Sequence, residues 1–259
     1  MTDGVRWMAL TREISPALAA CELTHLAREP IDVERARRQH EAYERALSAV
    51  GCAVQRLPAG ADIPDSVFIE DAAVVLDEVA VITRPGAESR RAEIDAVADA
   101  LAAHRPLVRI DGPGTVDGGD VLVADRTVFV GRSARTNEAG IQQLREALAP
   151  FGYEVRAVPV HGCLHLKTAV TQVSDGRLLV NRDWVPAAAF GGWDLIDVDP
   201  AEPFAANGLR IGDAVIYPEA FPRTRGRLEA PGIRIVPVPA DELAKAEGAV
   251  TCCSLVFRA

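Results

Sequence analysis

The sequence predicts an α/β fold, a closed propeller of five blades built from pseudo-five-fold ββαβ repeats. The first observation is a unit of two short strands joined by a turn, followed by a helix and a further strand, which recurs at intervals of about 40 to 50 residues. The second is that the apolar run over residues 250–259 begins a fifth unit that needs a partner strand. The strand predicted from Trp7 to Leu10 can supply it. A unit shared by the two ends of the chain requires closure into a ring.

Before the repeats, the chain begins with a predicted strand and a long loop. The strand covers residues 7–11, and the loop over residues 15–30 is interrupted by two prolines. Loops of this length inside a compact domain are often lids or binding loops. A helix is predicted over residues 31–50, with Asp32 as its N-cap and Gly51 as its end, and a strand follows over residues 53–57.

Four hairpins define the repeats. Their predicted opening strands cover residues 67–76, 116–123, 164–170 and 204–211, and their return strands cover residues 79–83, 127–130, 178–180 and 214–217. In the first copy a helix over residues 89–103 and a strand over residues 107–110 complete the unit. We predict a single domain over residues 1–259.

Composition limits the classes of function. With 49% hydrophobic and 25% charged residues, the chain can bury a full core. The net charge of −9 disfavours nucleic acid and an anionic membrane as partners, whereas a cationic ligand would be attracted. No secretory leader and no apolar run of the roughly 20 residues that span a bilayer is recognisable. Five cysteines without zinc-type spacing indicate reduced thiols, and we expect a cytoplasmic protein.

Polar residues occupy equivalent positions in the five opening strands. They are Glu70 and Asp71, Asp117 and Asp120, His165, Asn207, and Cys252. Taken singly, each has a structural explanation: a core histidine, a packed cysteine, a turn at Asp-Gly-Gly-Asp. Burying polar groups in strands is costly unless they are paired. Polar residues at the equivalent position of all five opening strands therefore favour a site on the axis of the ring.

These residue types indicate a particular chemistry. A thiolate can act as the nucleophile, an imidazole can transfer protons, and a carboxylate can orient the imidazole. The further carboxylates would repel one another unless a cation enters, and the planar fork of a guanidinium matches them. Arginines also follow the return strands at matched positions, Arg90 and Arg91 in the first copy and Arg135 in the second. We interpret them as exposed side chains, of which one from each copy could clamp an α-carboxylate. The predicted ligand is therefore cationic at one end and anionic at the other, as arginine is.

The combined motifs resemble those of the dimethylarginine dimethylaminohydrolases. They span nearly the whole chain in the right order and consist of residues 64–71, 82–91, 117–120, 133–137, 164–167 and 251–254. The resemblance implies the pentein type of α/β propeller. It also implies hydrolysis of Nω-methylated L-arginines to L-citrulline and methylamine or dimethylamine, through a covalent S-alkylthiouronium intermediate.

Carried over residue by residue, the resemblance implies a role for each site residue. Cys252 would be the nucleophile, His165 the general acid and base, and Asp117 the acid that orients His165. The substrate-binding residues would be Glu70 and Asp71 for the guanidinium, Arg90 and Arg135 for the carboxylate, and Asp65 and Phe68 along the pocket. The choice of Cys252 over Cys253 depends on this match, because alternation in a strand would only place the two on opposite faces. Some bacterial relatives have Glu in place of Asp117, and the lid region over residues 21–26 matches only loosely.

The residues leave alternatives open. An arginine or agmatine deiminase would use the same chemistry on an unmethylated guanidine, and the same propeller also serves as a non-catalytic binding module. The scheme requires no cofactor and no metal, although Cys252, His165 and a carboxylate make Zn²⁺ a candidate inhibitor. A homodimer is a candidate assembly, and the sequence does not determine the oligomeric state.

Overall fold

The computed structural model describes residues 7–259, so the first six residues of the predicted domain lie outside it. Over the described range the strands are β1 (Trp7–Arg12), β2 (Cys52–Leu57), β3 (Ala73–Val75), β4 (Ala80–Ile82), β5 (Leu107–Arg109), β6 (Val121–Ala124), β7 (Thr127–Arg132), β8 (Glu154–Pro159), β9 (Val170–Ser174), β10 (Arg177–Val180), β11 (Asp194–Asp197), β12 (Leu209–Ile211), β13 (Ala214–Pro218), β14 (Arg234–Val238) and β15 (Leu255–Arg258). The α-helices are α1 (Val33–Ala49), α2 (Ile94–Leu101), α3 (Glu138–Leu148), α4 (Leu166–Ala169), α5 (Pro222–Glu229) and α6 (Asp241–Ala244). Short 3-10 turns connect several of these elements.

The strands form five separate three-stranded sheets, which are the blades. Their orders are β3-β4-β5, β6-β7-β8, β9-β10-β11, β12-β13-β14 and β15-β1-β2. In each blade the first two strands pair antiparallel and the middle strand pairs parallel with the outer one. A parallel pair needs a crossover connection, and the crossover is where a repeat places its helix. The predicted five-bladed α/β propeller is confirmed.

The two ends of the described chain share one blade. Strand β1 lies between β15 and β2, with Trp7 opposite Arg258 and Leu10 opposite Leu255. The prediction that the N-terminal strand completes the fifth unit is therefore confirmed. Because this blade closes the ring, its hydrogen bonds hold the first and last strands together.

Helix α1 forms where the sequence predicts it. The Asp32 side chain caps it by accepting a hydrogen bond from the Arg35 amide at 2.9 Å, and Gly51 ends it with φ of +99°. Its buried face includes Tyr43, and each large apolar side chain buried in this way contributes about 1.5–3 kcal/mol. The Tyr43 hydroxyl lies 2.6 Å from that of Ser254, which joins α1 to the segment that precedes β15.

Two helix predictions are wrong in detail. The helix expected over residues 89–103 is a 3-10 helix over Glu88–Glu93 followed by α2. A 3-10 helix aligns residues three apart, which places Arg90 and Glu93 on one side for a 2.7 Å ion pair. In the third copy, a 3-10 turn at Ala187–Phe190 stands between β10 and β11 where the repeat predicts a helix.

The opening strands are shorter than predicted. Each strand begins only after the polar residues. Most of these lie in or just before helical turns, at Ile69–Ala72, Gly118–Asp120, α4 and Thr251–Cys253. Asn207 lies in an irregular segment before β12. Short apolar runs do not distinguish a strand from a helical turn by periodicity, which explains the error. The argument that a strand places Cys252 and Cys253 on opposite faces is therefore also wrong.

Apolar side chains fill the spaces between blades, and polar ones lie towards the axis. In one cluster Val74 of β3 and Val121 of β6 pack with Ile141 and Leu144 of α3. The axis holds a cavity of about 200 Å³ lined by the first strand of every blade. None of the helices described between residues 7 and 259 combines the length and apolarity that crossing a bilayer requires.

Candidate active site

The polar residues predicted from the repeats meet at the start of the first strands. The Gly119 amide donates to Asp71 Oδ1 at 2.8 Å, and the Thr251 hydroxyl donates to Glu70 Oε2 at 2.8 Å. Asn207 Nδ2 donates to the Thr251 hydroxyl at 2.9 Å. The segments of different blades are thus hydrogen-bonded to one another around the axis, as the closed ring requires.

His165 and Asp117 form a buried pair. His165 Nε2 lies 3.0 Å from Asp117 Oδ2, and the other ring nitrogen lies 4.0 Å from Asp71 Oδ1. Burial alone would lower the pKa of His165, but Asp71, Asp117 and Asp120 outweigh it and raise the pKa to about 9. The imidazole is therefore protonated at neutral pH and able to donate a proton.

Asp117 and Asp120 also fix the segments around the histidine. Asp117 Oδ1 accepts from the Gly86 amide at 2.8 Å, and Asp120 Oδ1 accepts from the Leu166 amide at 2.9 Å, next to His165. Burial raises the pKa of Asp120 to about 6 although His165 and the Ser133 hydroxyl stabilise its carboxylate. Asp117 thus contacts the imidazole directly, while Asp120 positions the turn that carries it.

The glycines of Asp-Gly-Gly-Asp permit close packing. A Cβ on Gly118 would lie 1.9 Å from the Glu70 carbonyl oxygen, and one on Gly119 would lie 2.5 Å from His165 Nδ1. Gly118, Gly119 and Asp120 form a 3-10 turn, which agrees with the interpretation of the Asp-Gly-Gly-Asp motif as a turn. The turn also brings the backbone against the acid and the imidazole, which a side chain would prevent.

The two adjacent acids have cationic partners, contrary to the expectation that the carboxylates would be unpaired. Lys167 Nζ lies 2.5 Å from Glu70 Oε1, and Arg90 pairs with Asp71. Burial raises the pKa of Glu70 despite Lys167, and Asp71 adds to the rise. Burial acts in the same direction on Asp71, but His165 and Arg90 prevail and lower its pKa to about 2.

Cys252 is half-buried beside these carboxylates. Burial, with Glu70 and Asp71, raises the pKa of its thiol to about 12. With this pKa, Cys252 is a thiol at neutral pH before substrate binds, a question that the sequence left open. Cys253 is fully buried, and its thiol donates to the Ala249 carbonyl at 3.4 Å.

Asp65 and Phe68 lie along the same side of the site. Asp65 Oδ2 accepts from the Glu22 amide at 3.0 Å, and burial raises the pKa of the carboxyl. Phe68 belongs to the apolar cluster against which Cys252 packs. Its ring lies so close to Gly248 that a Cβ there would approach Phe68 Cε1 to 2.1 Å.

The two arginines are buried, so their interpretation as exposed side chains is wrong. Arg90 is 4% and Arg135 is 7% exposed. The Arg90 guanidinium donates to Asp71, to Glu93 and to the Phe68 carbonyl at 3.0 Å, which compensates the cost of burying its charge. Arg135 Nη2 donates to Thr24 Oγ1 at 2.8 Å, and its Nη1 lies 3.8 Å from Asp117. The role of Arg90 in binding a carboxylate stays a prediction.

A group able to hold a metal ion consists of Asp71, Asp117 and His165, whose ligand atoms lie within 4.8 Å of one another. Within residues 7–259, Cys252 is not part of this group, although we expected it in a zinc set with His165. The other cysteines are free and buried. His25 lines a mainly apolar cavity of about 300 Å³ with Leu26 and Phe204.

Three residues were missed as members of the site. Lys167 and Thr251 hold the Glu70 carboxylate, and both lie within quoted motifs, next to His165 and Cys252 in the sequence. Glu247 contacts the loop over residues 22–26, and no repeat or motif marks it. Lys167 and Thr251 could have been recognised from the sequence by their positions close to His165 and Cys252.

Comparison with known proteins identifies close relatives. A family model described as N,N dimethylarginine dimethylhydrolase, eukaryotic, matches residues 24–188. An N(G),N(G)-dimethylarginine dimethylaminohydrolase of Streptomyces coelicolor is 43% identical over 260 residues, covering 96% of this chain and 96% of that protein.

Solved structures agree. The dimethylarginine dimethylaminohydrolase of Pseudomonas aeruginosa, as a cysteine-to-serine mutant complexed with citrulline, superposes with a TM-score of 0.93 at 33% identity, covering 98% of this chain and 99% of that one. A histidine-to-glycine form of such an enzyme, an adduct with S-methyl-L-thiocitrulline, has a TM-score of 0.92 at 33% identity, covering 98% and 100% of the two chains.

Proposed function

Because this chain belongs to the dimethylarginine dimethylaminohydrolase family, we propose that it hydrolyses Nω-methylated L-arginines to L-citrulline and methylamine or dimethylamine. It is a hydrolase that acts on dimethylarginine, and its substrate is a small molecule. The observation that carries the mechanism is the placement of a protonated His165, paired with Asp117, and the Cys252 thiol around two buried carboxylates.

The substrate guanidinium binds at Glu70 and Asp71. Asp65 and Arg135 bind the amino-acid end, Phe68 lines the pocket, and Arg90 is the second candidate for the carboxylate. A cation placed between Glu70 and Asp71 offsets the two charges that raise the pKa of Cys252. Substrate binding therefore promotes loss of the thiol proton to solvent, because His165 already carries a proton.

The first half of the reaction transfers the substrate carbon to sulfur. The Cys252 thiolate attacks the guanidinium carbon, forming a C–S bond and a neutral tetrahedral adduct. His165 donates its proton to the alkylated nitrogen, the C–N bond breaks, and the amine leaves. A planar, cationic S-alkylthiouronium remains, stabilised by the adjacent carboxylates.

The second half releases citrulline. Neutral His165 takes a proton from water, and the hydroxide adds to the carbon. The C–S bond then breaks with its electron pair going to sulfur, and the hydroxyl proton passes to the Cys252 thiolate as the carbonyl of citrulline forms. Asp117 stabilises the imidazolium each time it forms. Nucleophile and acid are thus regenerated.

Citrulline formation from asymmetric dimethylarginine, monomethylarginine, arginine and agmatine tests the proposal. We expect turnover of the methylated substrates, loss of turnover in Cys252→Ser, and retention of activity in the matched control Cys253→Ser. An active Cys252→Ser variant would overturn the covalent scheme. Turnover of arginine or agmatine alone would indicate a deiminase, and no turnover of any of the four compounds would favour a non-catalytic binding protein.

Several finer properties belong to the same proposal. We propose that residues 1–259 act as one catalytic domain and that the protein is cytoplasmic, which its five free cysteines support. Zn²⁺ would inhibit by occupying Asp71, Asp117 and His165, and the reaction itself needs no cofactor. Inhibition reversed by a chelator tests the zinc site, and sedimentation equilibrium tests for a homodimer.

A further inference from the structure

Glu247 adopts a backbone conformation that favours glycine. Its φ of +58° lies in the left-handed region, which among the described non-glycine residues is shared by Asp125 alone. Glu247 follows α6, where its amide donates to the Ala244 carbonyl at 3.1 Å and that of Gly248 donates to the Leu243 carbonyl at 3.0 Å. These two bonds form a Schellman motif, whose left-handed position is usually glycine. A glutamate at this position strains the backbone, so its side chain warrants a search for a function.

The Glu247 carboxylate binds three successive backbone amides of the loop over residues 22–26. Its Oε2 accepts from Thr24 at 3.0 Å, and its Oε1 accepts from His25 at 2.5 Å and from Leu26 at 2.6 Å. Hydrogen bonds to an ionised acceptor are among the strongest in proteins. No other side chain described in residues 7–259 binds these three amides, so one carboxylate holds the backbone of residues 24–26.

The same loop contacts two candidate substrate-binding residues. The Glu22 amide donates to Asp65 Oδ2 at 3.0 Å, and the Thr24 hydroxyl accepts from Arg135 Nη2 at 2.8 Å. Leu23 packs against the apolar cluster that contains Phe68. The loop thus covers the end of the site where we place the amino-acid group of the substrate.

From these contacts we infer that Glu247 is a positioning residue that latches the loop over residues 22–26 closed above the substrate, thereby fixing Asp65 and Arg135. This inference rests on the proposed function for its effect on substrate, but the latch itself can be measured without any substrate. Glu247 lies five residues before Cys252, so the segment that carries the nucleophile also holds the lid.

The test uses a substitution that separates the latch from the fold. Glu247→Gly removes the carboxylate and relieves the left-handed strain, so the melting temperature should stay the same or rise. Hydrogen exchange of the amides of residues 24–26 in the ligand-free protein should become about tenfold faster. KM for dimethylarginine should rise about tenfold with a smaller change in kcat.

Two further variants complete the design. Glu247→Gln keeps the length and removes the charge, and we expect an intermediate effect on exchange and KM. Asp125→Gly is the matched control, because Asp125 has a φ of +55° but lies in the turn between β6 and β7. It should leave lid exchange and KM unchanged.

Unchanged exchange of residues 24–26 in a folded Glu247→Gly or Glu247→Gln variant would overturn the latch, whatever KM does. Faster exchange with an unchanged KM would overturn its role in substrate binding. If the wild-type protein does not hydrolyse dimethylarginine, the proposed function is refuted. Hydrogen exchange of residues 24–26 would still test whether Glu247 holds the loop.

Discussion

Replacing Glu70 by glutamine isolates the electrostatic control of the Cys252 thiol. In the wild type, burial, Glu70 and Asp71 raise the pKa of Cys252 to about 12, so the thiolate fraction at pH 8 is about 10⁻⁴. Glutamine removes one of the two anions and leaves Lys167, which lowers the pKa of Cys252, without its carboxylate partner. A nearby like charge shifts a pKa by about 1–2 units, so the thiolate fraction should rise by about 10- to 100-fold.

The assay is alkylation of Cys252 by iodoacetamide, a neutral reagent, followed by peptide mass spectrometry, which distinguishes it from the other four cysteines. At pH 8 the Glu70→Gln variant should be alkylated about 10- to 100-fold faster than wild type, because the thiolate is the reacting form. Turnover should change in the opposite direction. We expect kcat/KM to fall by about 100-fold, since the guanidinium loses one of its two carboxylates.

Asp120→Asn is the matched control for this experiment. It also removes a fully buried carboxylate near His165, but Asp120 is not among the main causes that raise the pKa of Cys252. Its alkylation rate should remain near that of wild type. If Glu70→Gln is alkylated no faster than wild type, the electrostatic explanation of the resting thiol is refuted.

Three further variants test other parts of the site. Because the pKa of His165 is raised to about 9 in the folded state, protonation of His165 stabilises the fold fully below about pH 6.5, and this contribution is lost as pH rises through about 9. The melting temperature of wild type should therefore fall more between pH 7 and 10 than that of His165→Gln. Melting temperatures that depend on pH in the same way in both proteins would contradict the raised pKa. Gly119→Ala places a Cβ 2.5 Å from His165 Nδ1, so kcat should fall by about 100-fold while the circular dichroism spectrum stays native. An unchanged kcat would show that the imidazole ring can move without loss of activity. Arg90→Lys should lower the free energy of unfolding, measured by urea denaturation, by about 3–5 kcal/mol, because lysine cannot hold both Asp71 and Glu93. Unchanged stability with a raised KM would instead assign Arg90 to binding the substrate carboxylate.

The repeat pattern was sufficient to predict the ring, because the same order of hairpin, crossover and strand recurs in the amino-acid sequence for each blade. It also located Glu70, Asp117 and Cys252 at equivalent points, since equivalent points of a closed ring face one another. It did not show that Glu70 and Cys252 lie in helical turns and that Asp117 directly precedes one. Periodicity cannot make that distinction over three or four residues, and the turns depend on contacts between blades, such as that of Gly119 with Asp71.

Charge pairing was harder to predict than position. The sequence suggested unpaired carboxylates and exposed arginines. In the structure, buried Arg90 pairs with Asp71, and half-buried Lys167 pairs with Glu70. Both partners come from sites distant in sequence from the acids they pair with, by 19 and 97 residues. No local pattern encodes a contact of that separation, so ion pairs of this kind follow only from the folded ring.

The paired charges explain how a cationic substrate can bind a site that already contains cations. Glu70 pairs with Lys167 and Asp71 pairs with Arg90. Asp117 pairs with His165 and also lies 3.8 Å from Arg135. A guanidinium entering beside them adds a positive charge to a buried group of acids that already has cationic partners, and loss of a proton nearby offsets that charge. The Cys252 thiol is the group that can lose a proton without breaking an ion pair. Binding of the substrate and formation of the nucleophile are therefore coupled by charge balance, and the nucleophile forms when there is a carbon for it to attack.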